Sequence, residues 1–148
     1  MIRELTPPCA LDHLADLHAA CFDDAWSAEW IATLMAQPGV IALSADEDGF
    51  IITRIVSDEA EVLTLAVAPA TRRRGIGSAL VTAAIRHAAE MGARRMFLEV
   101  GSKNFAAKSL YIRLGFKEVG RRSGYYAATR GCLEDALVMS VEIPLLRV

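Results

Sequence analysis

Apolar positions along the chain switch between two spacings, and each switch marks an element boundary. Ile2 to Leu5 reads as a short strand, stopped by Pro7 and Pro8. Leu11, Leu14, Leu17 and Cys21 then recur at three- and four-residue intervals, the stripe of a helix with one buried face. Ser27 is a residue type that caps a helix through its hydroxyl. It precedes a second stripe, Trp30, Ile31, Leu34 and Met35, which Pro38 and Gly39 end. From Val40 the texture becomes strand-like. VIALSA, FIITRIV and EVLTLAV, separated by the polar turns at 46–49 and 57–59, predict an antiparallel meander.

Pro69 closes that meander, and ATRRRGIGSALV at residues 70–81 leads into a helical stripe of Ile76, Leu80, Ala83, Ala84, His87 and Met91, ended by Gly92. RRMFLEV at 94–100 predicts a buried strand. Asn104 is placed to cap a helix from about 105 to 114, which Gly115 stops. FKEVGRR and DALVMSVEI predict two last strands, around a loop containing Gly124 and Gly131. No repeat, low-complexity segment or linker interrupts the pattern, so residues 1–148 are expected to form one α/β domain with a mixed, mostly antiparallel sheet flanked by helices.

Composition narrows the function. The 148 residues are 53% hydrophobic and 23% charged, enough for a substantial core, and the net charge of −2 supplies no overall basic field for nucleic acid. Cys9, Cys21 and Cys132 are widely spaced and form no Cys-x-x-Cys or Cys/His cluster, so neither a disulfide framework nor a metal site is expected. The start of the chain has no secretory pattern and no apolar run is long enough to span a bilayer, which predicts a cytoplasmic protein without a membrane partner.

The glycine loop carries the candidate chemistry. A nucleotide P-loop needs a lysine after its last glycine, and none follows Gly77. A dinucleotide fingerprint needs a third glycine where Leu80 stands. Binding to a nucleic-acid backbone would rest on Arg72, Arg73 and Arg74 alone, in an otherwise acidic chain without interleaved aromatic residues. Gly75 and Gly77 could simply make a tight strand-to-helix turn. They could also let consecutive backbone N–H groups at the helix start converge on an anion such as a pyrophosphate.

The ordered set VLTLAV, RRRGIG, a long helix, LEV, Asn104, Leu110-Tyr111 and Gly115-Phe116 resembles the GCN5-related N-acetyltransferase (GNAT) superfamily. Trp26-Ser27, DEAEVLTLAV at 58–67, Tyr125-Tyr126 and EDAL at 134–137 make it more similar to one branch, the ribosomal-protein alanine N-acetyltransferases, with departures at Ala25, Gly101 and Lys103. The resemblance implies acetyl-CoA as co-substrate and no metal. It also implies a protein N-terminal α-amine as acceptor, in that branch the N-terminal alanine of ribosomal protein bS18. A lysine side chain or a small amine as acceptor, or a non-catalytic coenzyme A-binding module, remains open on the same scaffold.

Roles carry over residue by residue. The loop Arg72, Arg73, Arg74, Gly75, Ile76, Gly77 and Ser78 would hold the pyrophosphate. The backbone of Leu65, Ala66 and Val67 would pair with the pantetheine arm, and Asn104 would contact the coenzyme. Glu99 would be the general base and Tyr111 the general acid toward the coenzyme A sulfur. Trp26, Tyr125 and Tyr126 could border the acceptor or, as aromatic residues more often do, belong to the core. His13, His18 and His87 have no expected catalytic or metal role.

Overall fold

The computed structural model describes residues 1–6, 11–123 and 134–144. Its elements follow the sequence pattern closely: β1 (Ile2–Leu5), α1 (Leu11–Cys21), α2 (Ala28–Met35), β2 (Val40–Ala45), β3 (Gly49–Val56), β4 (Glu59–Val67), α3 (Ile76–Glu90), β5 (Arg95–Gly101), α4 (Phe105–Arg113), β6 (Lys117–Arg122) and β7 (Ala136–Glu142). A single 3-10 turn, Pro69–Thr71, joins β4 to the glycine loop. The strands form one sheet in the order β1-β2-β3-β4-β5-β7-β6.

Every pairing is antiparallel except β4 with β5, where α3 provides the crossover that a parallel pair requires. That parallel ladder is short. Glu59 faces Arg95, Ala60 faces Met96 and Glu61 faces Phe97, and beyond these the two strands no longer pair. The cause lies on the other edge of β4. Its register with β3 jumps from Thr53↔Val62 to Ile52↔Thr64, so Leu63 is an inserted residue. Such a bulge bends its strand and sharpens its twist. It also changes which side chains share a face. Ala60 and Val62 before the bulge, and Leu65 and Val67 after it, all pack in the same cluster beside α3.

Two apolar layers cover the sheet. On one face Leu80, Val81, Ala84 and Ala88 of α3 meet Leu43, Ile51, Met96, Leu98, Leu137 and Met139, with Tyr111 of α4 in the same cluster. On the other, Leu14, Leu17 and Ile31 of α1 and α2 cover Ala42, Phe50, Ile52 and Ala66. Full burial of such side chains is worth about 1.5–3 kcal/mol each, which makes these two layers the main support of the open wedge between β4 and β5. Among the described residues no helix is long and apolar enough to cross a membrane.

Candidate active site

The wedge opens with one end of α3 beside it. Gly75 caps that helix in the left-handed conformation, φ 78°, and no side chain accepts from the helix start. Its first N–H groups therefore lack an intrahelical acceptor and face outward, as an anion site needs, with the helix dipole adding about 0.3–1 kcal/mol for a negative charge. The two glycines serve different ends. A Cβ at Gly75 would meet nothing within 4 Å, so its conformation is what demands glycine; a Cβ at Gly77 would lie 3.2 Å from Leu110 Cδ2, so there close approach of α3 to α4 demands it.

Arg72, Arg73 and Arg74 are exposed around this terminus, with Arg73 itself at φ 67°. Arg72 Nε donates to the carbonyl of Val67 at 3.2 Å, and the Cys21 thiol donates to the same oxygen at 3.3 Å. These bonds bring the loop and the end of α1 to the last residue of β4. Ile76, Gly77 and Ser78 are half-buried, as are Leu65 and Val67, while Ala66 is buried under α1 and α2. Residues 62–67 of β4 run past the end of the β5 ladder, so the backbone groups they turn toward β5 have no strand partner there. The sequence-based coenzyme residues thus converge on one edge of the wedge.

Asn104 caps α4 as expected, its Oδ1 accepting from the Ala107 N–H at 3.2 Å. The turn it belongs to is held by the two residues that precede β7. The Ser102 N–H donates to the Asp135 carbonyl at 2.9 Å, and the Lys103 N–H donates to a carboxylate oxygen of buried Glu134 at 2.8 Å. This anchoring sets where α4 begins and, two turns later, where Tyr111 lies. The Tyr111 ring packs edge-on to Phe116, is 6% exposed, and its hydroxyl donates to no group among the described residues. Burial pushes its phenol up to about 12, so it stays protonated at neutral pH.

Glu99 lies in the middle of β5, two residues past the last position that pairs with β4. Its side chain points to the sheet face away from α3 and α4, into a cleft of about 360 Å³. Arg54, Glu59, Glu61, Phe97, Val138 and Arg122 share that cleft. The two arginines are tied to carboxylates across it. Arg54 Nη2 lies 3.1 Å from Glu61 Oε2, and Arg122 Nη2 lies 3.2 Å from Glu99 Oε1. Arg54, Glu61 and Arg122 were not among the sequence-based candidates. Their signal exists only in the strand register, which aligns five strands side by side.

The connection between α1 and α2 borders the same sheet face, and its order comes from a residue for which no role was expected. His18 is 2% exposed, its Nδ1 accepts from the Trp26 N–H at 3.0 Å, and its ring stacks between Phe22 and Trp26 at 4.4 and 4.7 Å. Burial lowers its pKa to about 4, so it is neutral at pH 7 and free to accept that bond. His87 instead sits on the α3 stripe with a buried Nδ1 that has no partner among the described residues. Tyr125 and Tyr126 lie outside the described residues. No group of three or more metal-ligating side chains occurs among the residues described.

Residues 11–116 match the acetyltransferase (GNAT) family. The chain is 41% identical over 96 residues to an Escherichia coli K12 protein named [ribosomal protein bS18]-alanine N-acetyltransferase, a match spanning 65% of this chain and 64% of that one. The match therefore spans just under two thirds of that relative's length. A Salmonella typhimurium protein of the same name is 38% identical over 107 residues, covering 71% of this chain and 72% of its own. In structure, the crystal structure of the ribosomal-protein-S18-alanine N-acetyltransferase from Escherichia coli superposes with a TM-score of 0.88 at 29% identity, over 99% of this chain and 96% of that one. Arabidopsis thaliana NAA60 in complex with acetyl-CoA shares the fold, with a TM-score of 0.83 at 21% identity over 97% of this chain and 98% of its own.

Proposed function

The chain belongs to the acetyltransferase (GNAT) family, and on that premise we propose that it transfers the acetyl group of acetyl-CoA to a protein N-terminal α-amine. Its bacterial relatives are named for an alanine of ribosomal protein bS18, and the N-terminal alanine of that protein is the acceptor we assign to this chain. The observation that carries this reading is the wedge between β4 and β5, with a glycine-loop helix terminus whose N–H groups no side chain engages at its edge and the cleft holding Glu99 on one face.

The residues present suit acetyl-CoA as substrate. The N–H groups at the start of α3 and the exposed arginines offer a cradle for pyrophosphate, and the unpaired backbone of residues 62–67 offers amide partners for the pantetheine arm. The acceptor amine then reaches the thioester from the opposite sheet face. Its nitrogen bonds to the carbonyl carbon, the carbon–sulfur bond breaks, and the proton lost from nitrogen passes to the Glu99 carboxylate. A free α-amine has a pKa near 8 against about 10.4 for lysine, so a carboxylate base suits the first far better.

Tyr111 contributes at the sulfur. With its phenol at about 12 it is a reliable hydrogen-bond donor. Outright proton delivery to a thiolate of ordinary pKa runs uphill by roughly three pKa units. Its main effect is therefore to stabilise the charge developing on sulfur, in a partly dry site where such a bond counts most. Incubation with acetyl-CoA and peptides that begin with alanine and contain an internal lysine, followed by tandem mass spectrometry, tests the reading. Acetyl on the α-amine is expected; acetyl on lysine alone would redirect it to side-chain acetylation.

A further inference from the structure

We propose that Arg122 is the positioning residue for the base, holding the Glu99 carboxylate at the mouth of the wedge. The inference rests on the assignment of Glu99 as base. Its structural ground is a second register jump, independent of the one in β4. Between β6 and β7 the pairing passes from Glu118↔Met139 to Gly120↔Val138, leaving Val119 as an inserted residue.

That insertion decides which arginine meets Glu99. Glu99 pairs with Val138, and Val138 pairs with Gly120, so these three share a row on the cleft face of the sheet. The next row on that face is Gly101, Ala136 and Arg122. With no bulge, Arg121 would take the place opposite Ala136, and Arg122 would fall outside the ladder. With it, Arg121 turns to Glu118 and Asp135, at 3.2 and 2.9 Å, and Arg122 faces the cleft.

Gly120 completes the arrangement. It offers no side chain beside Val138, so the Arg122 guanidinium can cross β7 and reach Glu99 Oε1. Only that one oxygen is engaged, at 3.2 Å, and no other partner of the Glu99 carboxylate occurs among the described residues, which leaves the second oxygen to take the proton. The Arg122 side chain is 57% exposed, so the pair adds little to stability. Its use is to remove the rotational freedom of a carboxylate that must meet an incoming amine in one geometry.

The test is a double-mutant cycle on the full chain with acetyl-CoA and an alanine-initiated peptide. Arg122→Ala is expected to lower kcat about tenfold with the KM for acetyl-CoA unchanged, and Arg122→Lys to recover part of the loss. In an E99Q background the same substitution is expected to change nothing further, because Arg122 acts through Glu99. An equal loss in both backgrounds, or no loss in either, overturns the inference. Wild-type turnover by E99Q alone would overturn the base assignment and this inference with it, so the two failures are told apart. Unfolding midpoints accompany each variant, and R122Q provides the same comparison if Arg122→Ala is unstable.

Discussion

Glu61 faces Phe97 across the parallel ladder of β4 and β5, and it is the last residue of β4 to face β5. Two positions later Leu63 bulges out of the register with β3, and the strands separate. The wedge thus lies beside one inserted residue on the far side of a strand, where a bulge bends and twists β4 away from its neighbour. The wedge follows from strand geometry and needs no loop to make it.

Tyr111→Phe separates chemistry from stability. The phenol oxygen has no protein partner among the described residues, so its loss is expected to shift unfolding free energy by less than about 0.5 kcal/mol. Turnover should fall by about 10²-fold or more, since a donor aimed at developing charge is lost. Steady-state kinetics and urea unfolding on the same preparation check both. A stability loss equal to a buried hydrogen bond would mean the hydroxyl serves the fold.

The periodic elements were legible in the sequence because each is a local pattern. The α3 stripe, the Ser27 and Asn104 caps, the strand at 40–45 and, within the expected 135–143, the strand at 136–142 all appear where spacing and capping chemistry put them. The resemblance to GNAT enzymes likewise rested on contiguous motifs. Neither bulge was legible, because a bulge is a relation between two strands and Leu63 and Val119 look like ordinary apolar strand residues. Arg122 was missed for the same reason. His18 carried a weak signal, a histidine four residues before Phe22 on a helix, but its bond to Trp26 depends on a turn that spacing alone does not specify.

The two loop glycines should fail differently. Gly75→Ala places a side chain at φ 78° and is expected to cost about 1 kcal/mol in chemical denaturation through backbone strain. Gly77→Val pushes branched carbon toward Leu110 and Val67, displacing the start of α3, and should weaken acetyl-CoA binding about tenfold by calorimetry. If Gly77→Val bound acetyl-CoA normally, the cradle would lie elsewhere.

His18 makes stability acid-sensitive with a defined sign. Its pKa is depressed in the folded protein to about 4 from an ordinary 6.5, so the unfolded chain takes up the proton first as pH falls. Stability is intact at pH 7 and is lost progressively between about 6.5 and 4, by up to about 3 kcal/mol from this group. Urea unfolding at pH 7, 5.5 and 4.5 should show a shallower decline in His18→Gln than in the parent. Equal slopes would mean that folding does not depress the His18 pKa.

Glu99→Gln bears most directly on the chemistry assigned to the wedge. The measurement is kcat with an alanine-initiated peptide, alongside the dissociation constant for acetyl-CoA, in the parent and the variant. The expected result is a loss of about 10²-fold or more in kcat, with coenzyme affinity unchanged, because Glu99 faces the cleft on the other side of the sheet from α3. Full turnover by Glu99→Gln would contradict the assignment and show that the amine loses its proton to another group.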